Sequence, residues 1–186
     1  MLDHFGVLAP IYERVIPVPD ASRLIQLLDL PAAGRLLDAG GGTGRVSSQL
    51  RPLVDDLVVT DVSAGMLAQA KVKSDLQLSL AFAETLPFAD GAFERVLVVD
   101  ALHHFCDQRR AIGDLLRVLK PGGTLVIEEP DLNSFRVKLV AAGEKLALMR
   151  SHFYYPAEIR AMVEAHGAAA RIESEGDITA WVVVNK

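Results

Sequence analysis

Four glycines fall within the five positions 40–44, directly after an apolar run that ends in Asp38 and Ala39, in the stretch LLDAGGGTGR from Leu36 to Arg45. Glycine weakens any helix or strand it interrupts. It is favoured where the backbone takes positive φ, or where another group must approach the main chain without meeting a Cβ. A tight turn needs one or two such residues. Four of them between a strand-like run and a helix-like one point to a loop that turns a strand into a helix and keeps its backbone bare for a ligand.

The rest of the chain agrees with a strand–helix alternation. GRLLDA and DLVVT read as short buried strands, and RVLVVD and TLVIEE as two more. LQLSLAF alternates, with Leu76, Leu78, Leu80 and Phe82 on one face, as an edge strand does. Helical patterns lie between these runs, at 63–71 and at 107–119, where Ile112, Leu115, Leu116 and Leu119 keep the i, i+3, i+4, i+7 spacing until KPGG stops them. Repeated units of this kind predict a parallel sheet covered by helices on both faces, an α/β doubly wound, Rossmann-like architecture. The tail from Pro156 onward adds a helix and two closely spaced strands, a hairpin that brings in one antiparallel strand. A length of 186 residues predicts a single domain.

Charge and composition narrow the partners. With 24 acidic against 19 basic residues the net charge is -5, which argues against a nucleic-acid backbone as ligand. A small molecule is the expected partner. No apolar run is long enough to span a bilayer, and the N-terminus lacks the positive charge of a signal peptide, so a cytoplasmic protein is expected. Cys106 is the single cysteine; it excludes an internal disulfide and a multi-cysteine metal cluster, and reads as a small buried filler. No metal site is expected.

The glycine loop sits at the carboxyl end of the first strand, where open α/β sheets bind ligands. Asp61, closing the second strand in VVTDVS, is the second clue, because a carboxylate there can accept both hydroxyls of a ribose. Its other reading is an N-cap of the following helix, a task for which Ser63 is equally placed. A dinucleotide loop of the form G-x-G-x-x-G requires glycine or alanine at Arg45, and a nucleotide triphosphate loop requires a Lys-Ser/Thr pair that is missing here. A nicotinamide oxidoreductase is therefore the weaker alternative.

These residues resemble the class I S-adenosylmethionine-dependent methyltransferases, in particular the type 11 group that includes quinone-biosynthesis C-methyltransferases. The likeness is carried by LLDAGGGTGR, VVTDVSAGMLAQA, AETLPFADGAFERVLVVDALHHF and RVLKPGGTLVIEEP, in that order, over about residues 34–130. It implies a seven-stranded sheet with the last strand antiparallel, and S-adenosylmethionine as cofactor. It also implies that Asp38, Gly40 and Gly42 surround the methionine portion, that Gly44 belongs to the same cofactor-binding loop and that Asp61 holds the ribose. Val62 and Met66 would pack on adenine, Ala83 and Glu84 would lie at its edge, and Asp100 with Ala101 would close the cleft beside the sulfonium. Tyr12 resembles the family's lid tyrosine, within an N-terminal lid at 1–30.

Two departures from the family pattern stand out. Phe82 occupies the position where many relatives carry an aspartate for the adenine amino group. Gly41 replaces a frequent cysteine, a change expected to be harmless because the residue stays small. His103 and His104 follow the fourth strand at its carboxyl end and are the candidate catalytic residues, read either as a general base or as polar lining. A substrate-side insert is expected at 131–155, with Phe135, Leu139, Ala142, Leu146 and Met149 at helical spacing and Phe153, Tyr154 and Tyr155 beyond it. The acceptor is expected to be small and partly apolar, and the nucleophilic atom is left open among carbon, oxygen and nitrogen. A second alternative is an inactive S-adenosylmethionine-binding partner or regulator. A homodimer remains compatible with the chain.

Overall fold

The computed structural model describes residues 20–73, 75–134, 136–138, 151–175 and 178–186. Tyr12 and the apolar stripe Phe135, Leu139, Ala142, Leu146 and Met149 lie outside the described residues, as does most of the expected lid. The described elements are α1 (Ser22–Leu27), β1 (Arg35–Ala39), α2 (Arg45–Leu50), β2 (Asp56–Asp61), α3 (Ala64–Ala70), β3 (Gln77–Leu80), β4 (Phe93–Val99), α4 (Gln108–Val118), β5 (Leu119–Pro130), α5 (Pro156–Ala165), β6 (Ala170–Glu175) and β7 (Thr179–Asn185). A 3-10 turn at Leu102–His104 follows β4.

The strands form one seven-stranded sheet in the order β3-β2-β1-β4-β5-β7-β6. β1 to β5 pair in parallel, and β7 runs antiparallel to both β5 and β6. The hairpin read from the tail is β6–β7. Chain order reverses between β1 and β4: β2 and β3 are laid to one side, β4 and β5 to the other. The crevice at the carboxyl ends of β1 and β4 is the topological switch point, where folds of this kind accept ligands.

The apolar runs alternate in side although they do not alternate in polarity. Leu37, Val58, Val96, Ile127 and Val182 pack with Ile112 and Leu115 of α4 and Ile159 and Met162 of α5. Leu36, Leu57, Leu97, Val126 and Val183 pack on the other face with Leu24 and Leu27 of α1, Leu50 of α2 and Leu67 of α3. Strands covered on both faces must be apolar at every position, which is why these runs are continuous.

Caps set where the helices begin. The Ser63 hydroxyl accepts from Met66 N at 3.2 Å and starts α3, and the Asp107 carboxylate accepts from Arg110 N at 3.0 Å and starts α4. No helix of the described residues is long and apolar enough to cross a membrane.

The sequence expectation fails at two places here. Cys106 is exposed rather than buried, because it lies in the turn between the 3-10 helix and α4 and not under either. The apolar face of the edge strand is only half covered. Leu76 and Leu78 pack on the core, whereas Leu80 and Phe82 are 62% and 56% exposed, since β3 ends at Leu80 and the chain leaves the sheet beside Asp61.

Candidate functional site

Asp38 leaves the middle of the sheet at the end of β1, 1% exposed, and the chain then turns through Gly40 and Gly42 at φ +77° and +56°. The amides of Gly40 and Gly41 both donate to Thr60 O, at 2.8 and 3.1 Å, which ties the loop to β2. At Gly42 an added Cβ would meet nothing closer than Asp61 Oδ2 at 3.9 Å, so the backbone there faces open space. At Gly40 the added Cβ would lie 2.7 Å from Ala101 Cβ, so this glycine lets the β1 loop and the β4 turn close on each other. Gly44 differs. Its Cβ would fall 2.8 Å from Leu76 and 3.4 Å from Ala70, so it is the residue that packs α2 against its neighbours, one position before Arg45. Its demand is for packing, and the Gly42 position is the one open to a ligand.

At Gly41 an added Cβ would stand 2.5 Å from Asp38 Oδ2 and 2.8 Å from Val59, so a side chain there would require the Asp38 carboxylate to shift.

Asp61 bridges two backbone segments. Oδ2 accepts from Gly42 N at 2.9 Å and Oδ1 from Ser63 N at 2.8 Å. Ser63, not Asp61, is the helix cap. The carboxylate thus locks the glycine loop to the entrance of α3. Val62 beside it is 57% exposed, while Met66 and Ala83 are buried. Glu84 is committed elsewhere: Oε1 accepts from Asp107 N at 3.0 Å, joining the post-β3 loop to the start of α4.

Asp38 is the most perturbed carboxylate of the loop. Burial pushes its pKa up to about 6; the Ser47 hydroxyl bond opposes this and the Asp61 charge adds to it. Among the described residues no group donates to Asp38 Oδ1, which is buried. An ionised carboxylate with an oxygen in that state is poised for a cationic or hydrogen-bond-donating ligand group.

On the other side of the switch point Asp100 follows β4 at φ +48°, a backbone conformation that a non-glycine residue adopts at a cost of about 1–3 kcal/mol. Its amide donates to Glu128 O at 3.0 Å. The Glu128 side chain accepts from Trp181 Nε1 at 2.5 Å, and burial raises its pKa to about 7, helped by Asp100 and Glu129.

The 3-10 turn carries the two histidines. His103 is 5% exposed, with Nδ1 2.6 Å from Glu129 Oε2 at the end of β5. Glu129 Oε1 accepts from Leu102 N at 2.8 Å. The Phe153 ring stacks on His103 at 4.2 Å between centroids, and His104 lies 4.0 Å away on the same measure. His104 faces Ser151 Oγ, 3.2 Å from Nδ1, and burial followed by the His103 charge lowers its pKa to about 3. It stays neutral across the physiological range. Tyr154 stacks on His152, and Tyr155 N donates to Glu158 at the start of α5. Glu129 escaped the sequence reading. The signal was the pair of carboxylates ending an otherwise apolar strand in TLVIEEP.

The loop, Asp61 and the β4 turn therefore converge on one crevice. Residues 37–127 match the family model described as a methyltransferase domain, Methyltransf_11. Over these residues the chain has the sequence of a class I S-adenosylmethionine-dependent methyltransferase domain of type 11. It is 37% identical over 114 residues to a demethylmenaquinone methyltransferase of Thermus thermophilus, an alignment covering 58% of this chain and 52% of that one. The chain spans about half the length of the curated relatives it matches. Its fold is that of the putative methyltransferase solved with the Haloferax volcanii Trm112 methyltransferase activator, with a TM-score of 0.82 at 18% identity over 100% of this chain and 98% of that one. A DhpI–SAH complex has the same fold, at TM-score 0.75 and 17% identity over 98% and 93% of the two chains. S-adenosylmethionine is the methyl donor of this class, and the crevice fits it on two counts: open space over Gly42 beside an anchoring carboxylate, and the buried acceptor at Asp38 Oδ1.

Proposed function

We propose that the protein transfers a methyl group from S-adenosylmethionine to a small, partly apolar acceptor. The observation that carries this reading is the Asp61 carboxylate, clamped between Gly42 N and Ser63 N at the rim of the open glycine loop. In that position it faces the place of the donor's ribose, with Val62 and Met66 as the apolar neighbours of the base. Asp38 supplies negative charge near the amino acid portion of the donor. S-adenosylmethionine supplies a methyl group already activated on a sulfonium, so the chain's own contribution is alignment and exclusion of water, worth about 7–11 kcal/mol of barrier.

His103 is the group suited to take a proton from the acceptor. His104, held neutral by burial, lines the same turn. A buried imidazole against a buried carboxylate favours catalysis over a purely ligand-binding role, since that pair is expensive to maintain in the interior. The resemblance to a demethylmenaquinone methyltransferase favours a hydroxylated aromatic acceptor.

The test is release of S-adenosylhomocysteine from isotopically methyl-labelled donor with panels of hydroxylated aromatics, simple phenols and amines. Label transfer to an aromatic acceptor is expected. Replacing His103 with Asn should keep donor affinity, lower turnover by roughly 100-fold or more and remove the acidic limb of the pH profile. Donor binding without label transfer to any of the three acceptor classes would overturn the reading in favour of a binding protein.

A further inference from the structure

We propose that Glu129 is the positioning residue for His103, a role that rests on the methyl-transfer reading above: it holds the imidazole with its proton on Nδ1, so that Nε2 carries the lone pair that receives the acceptor's proton. The geometry is two-handed. One carboxylate oxygen meets His103 Nδ1 at 2.6 Å, and the other accepts from Leu102 N at 2.8 Å, in the turn that bears the histidine. Both side chains of the pair are 5% exposed, so water competes for neither.

An ionised carboxylate has no hydrogen to give, so at 2.6 Å the proton between the two groups belongs to the imidazole, and the other ring nitrogen is the basic one. The ring cannot pivot to exchange them. Phe153 is stacked on it within 14° of parallel, and the His103 carbonyl accepts from His152 N at 2.7 Å. Glu129 on β5 and His104 on the same turn both bear on the ring. The segment after Ser151 contributes the Phe153 ring and the His152 amide, and the His152 ring is turned onto Tyr154. Glu128 belongs to the opposite face of β5 and bonds to Trp181.

A buried carboxylate is seldom worth its desolvation for stability alone. A carboxylate that orients both a ring and the backbone of its turn has a use: it fixes the tautomer and favours the cation formed when a proton arrives, the arrangement of a base oriented by a third group. The step balances. As the acceptor atom forms its bond to the methyl carbon, the methyl–sulfur bond breaks and its electron pair leaves with the sulfur of S-adenosylhomocysteine; the acceptor's bond to hydrogen breaks, that electron pair stays on the acceptor atom and the proton goes to Nε2. The imidazolium then faces Glu129 until the proton passes to water.

Nitrogen-15 spectra of the full chain labelled at histidine read the tautomer without any variant, and Glu129→Gln and Glu129→Asp read the function. His103 is expected in the Nδ1–H form at neutral pH. Glu129→Gln should lower the His103 titration midpoint by about one unit or more, because an adjacent opposite charge is lost. It should lower kcat on the order of 10- to 100-fold, part of the roughly 100- to 10,000-fold that a general base contributes. KM for the acceptor and S-adenosylmethionine affinity should stay within about twofold, and Glu129→Asp should recover part of kcat. An Nε2–H tautomer in the wild type overturns the proposal, as does a Glu129→Gln protein with unchanged kcat and pH profile. A wild type that methylates no acceptor while His103 shows the Nδ1–H form overturns the methyl-transfer reading alone. One that methylates an acceptor with His103 in the Nε2–H form overturns the Glu129 assignment alone.

Discussion

Asp38→Asn should make the unliganded protein more stable at neutral pH and a poorer binder of S-adenosylmethionine. Burial raises the Asp38 pKa from 3.8 to about 6. A group whose pKa is raised in the folded state contributes stability that is fully present below its unfolded pKa and is lost as pH rises through the folded one. Between pH 3.8 and about 6 that loss amounts to about 3 kcal/mol, at about 1.36 kcal/mol per unit. Above pH 7 the ionised carboxylate is therefore a net burden on a fold whose total stability is about 5–15 kcal/mol.

Asparagine keeps the shape and never ionises. Against the gain stands a weakened hydrogen bond from Ser47, worth about 1 kcal/mol. The expected net effect is a gain of about 1–2 kcal/mol at pH 7.5 and a small loss at pH 4.5. Urea unfolding of both proteins at the two pH values measures it. Donor-binding isotherms across the same pH range should show wild-type affinity for the cationic donor falling about tenfold per unit as pH drops below about 6, with that slope absent in the variant. A variant less stable than wild type by the same margin at both pH values would refute the reasoning, because Asp38 would then impose no ionisation cost.

Three further outcomes follow from the same geometry. Gly42→Val should abolish donor binding and cost about 1–2 kcal/mol of stability for a side chain at positive φ, whereas Gly44→Ala should lower the melting temperature through its clash with Leu76 while folded protein still binds donor; melts and isotherms on each variant distinguish the two. Asp61→Asn should weaken donor binding by about 1.5–3 kcal/mol by calorimetry, and an unchanged Kd would reduce Asp61 to a link between loop and helix. His104 has a folded pKa near 3, below its unfolded value of 6.5, so the folded chain binds fewer protons in that window; stability should be complete above pH 6.5 and fall as pH drops toward 3, and His104→Gln should flatten that part of the curve.

The parts of the fold legible in the sequence were those with a local signature. The bare glycine loop, Asp61 at a strand end and the two-faced apolar runs each announce themselves within about ten residues, and the parallel pairing follows from short strand–helix connections, whereas the order of the strands does not. Whether Asp61 or Ser63 capped α3 was open, because both satisfy the same local rule; the choice depends on the Gly42 amide, which arrives from another strand. That a side chain at 41 would crowd Asp38 was not legible, because nothing nearby in sequence says that the Asp38 carboxylate turns back into that space. Phe82 read as part of a covered face until the strand ended two residues before it. Glu129 meets His103 across 26 positions, a distance at which no local periodicity carries information. Which glycine serves the ligand and which the packing is likewise a matter of where each Cβ would point, and Gly42 and Gly44 are indistinguishable as letters.

Calorimetric titration of one sample of the protein with S-adenosylmethionine, S-adenosylhomocysteine and NAD tests the central claim most directly. The crevice built from the glycine loop, Asp38 and Asp61 predicts that both sulfur ligands bind in the low micromolar to submillimolar range and that NAD gives no measurable heat. Tight NAD binding with no response to either sulfur ligand would contradict it.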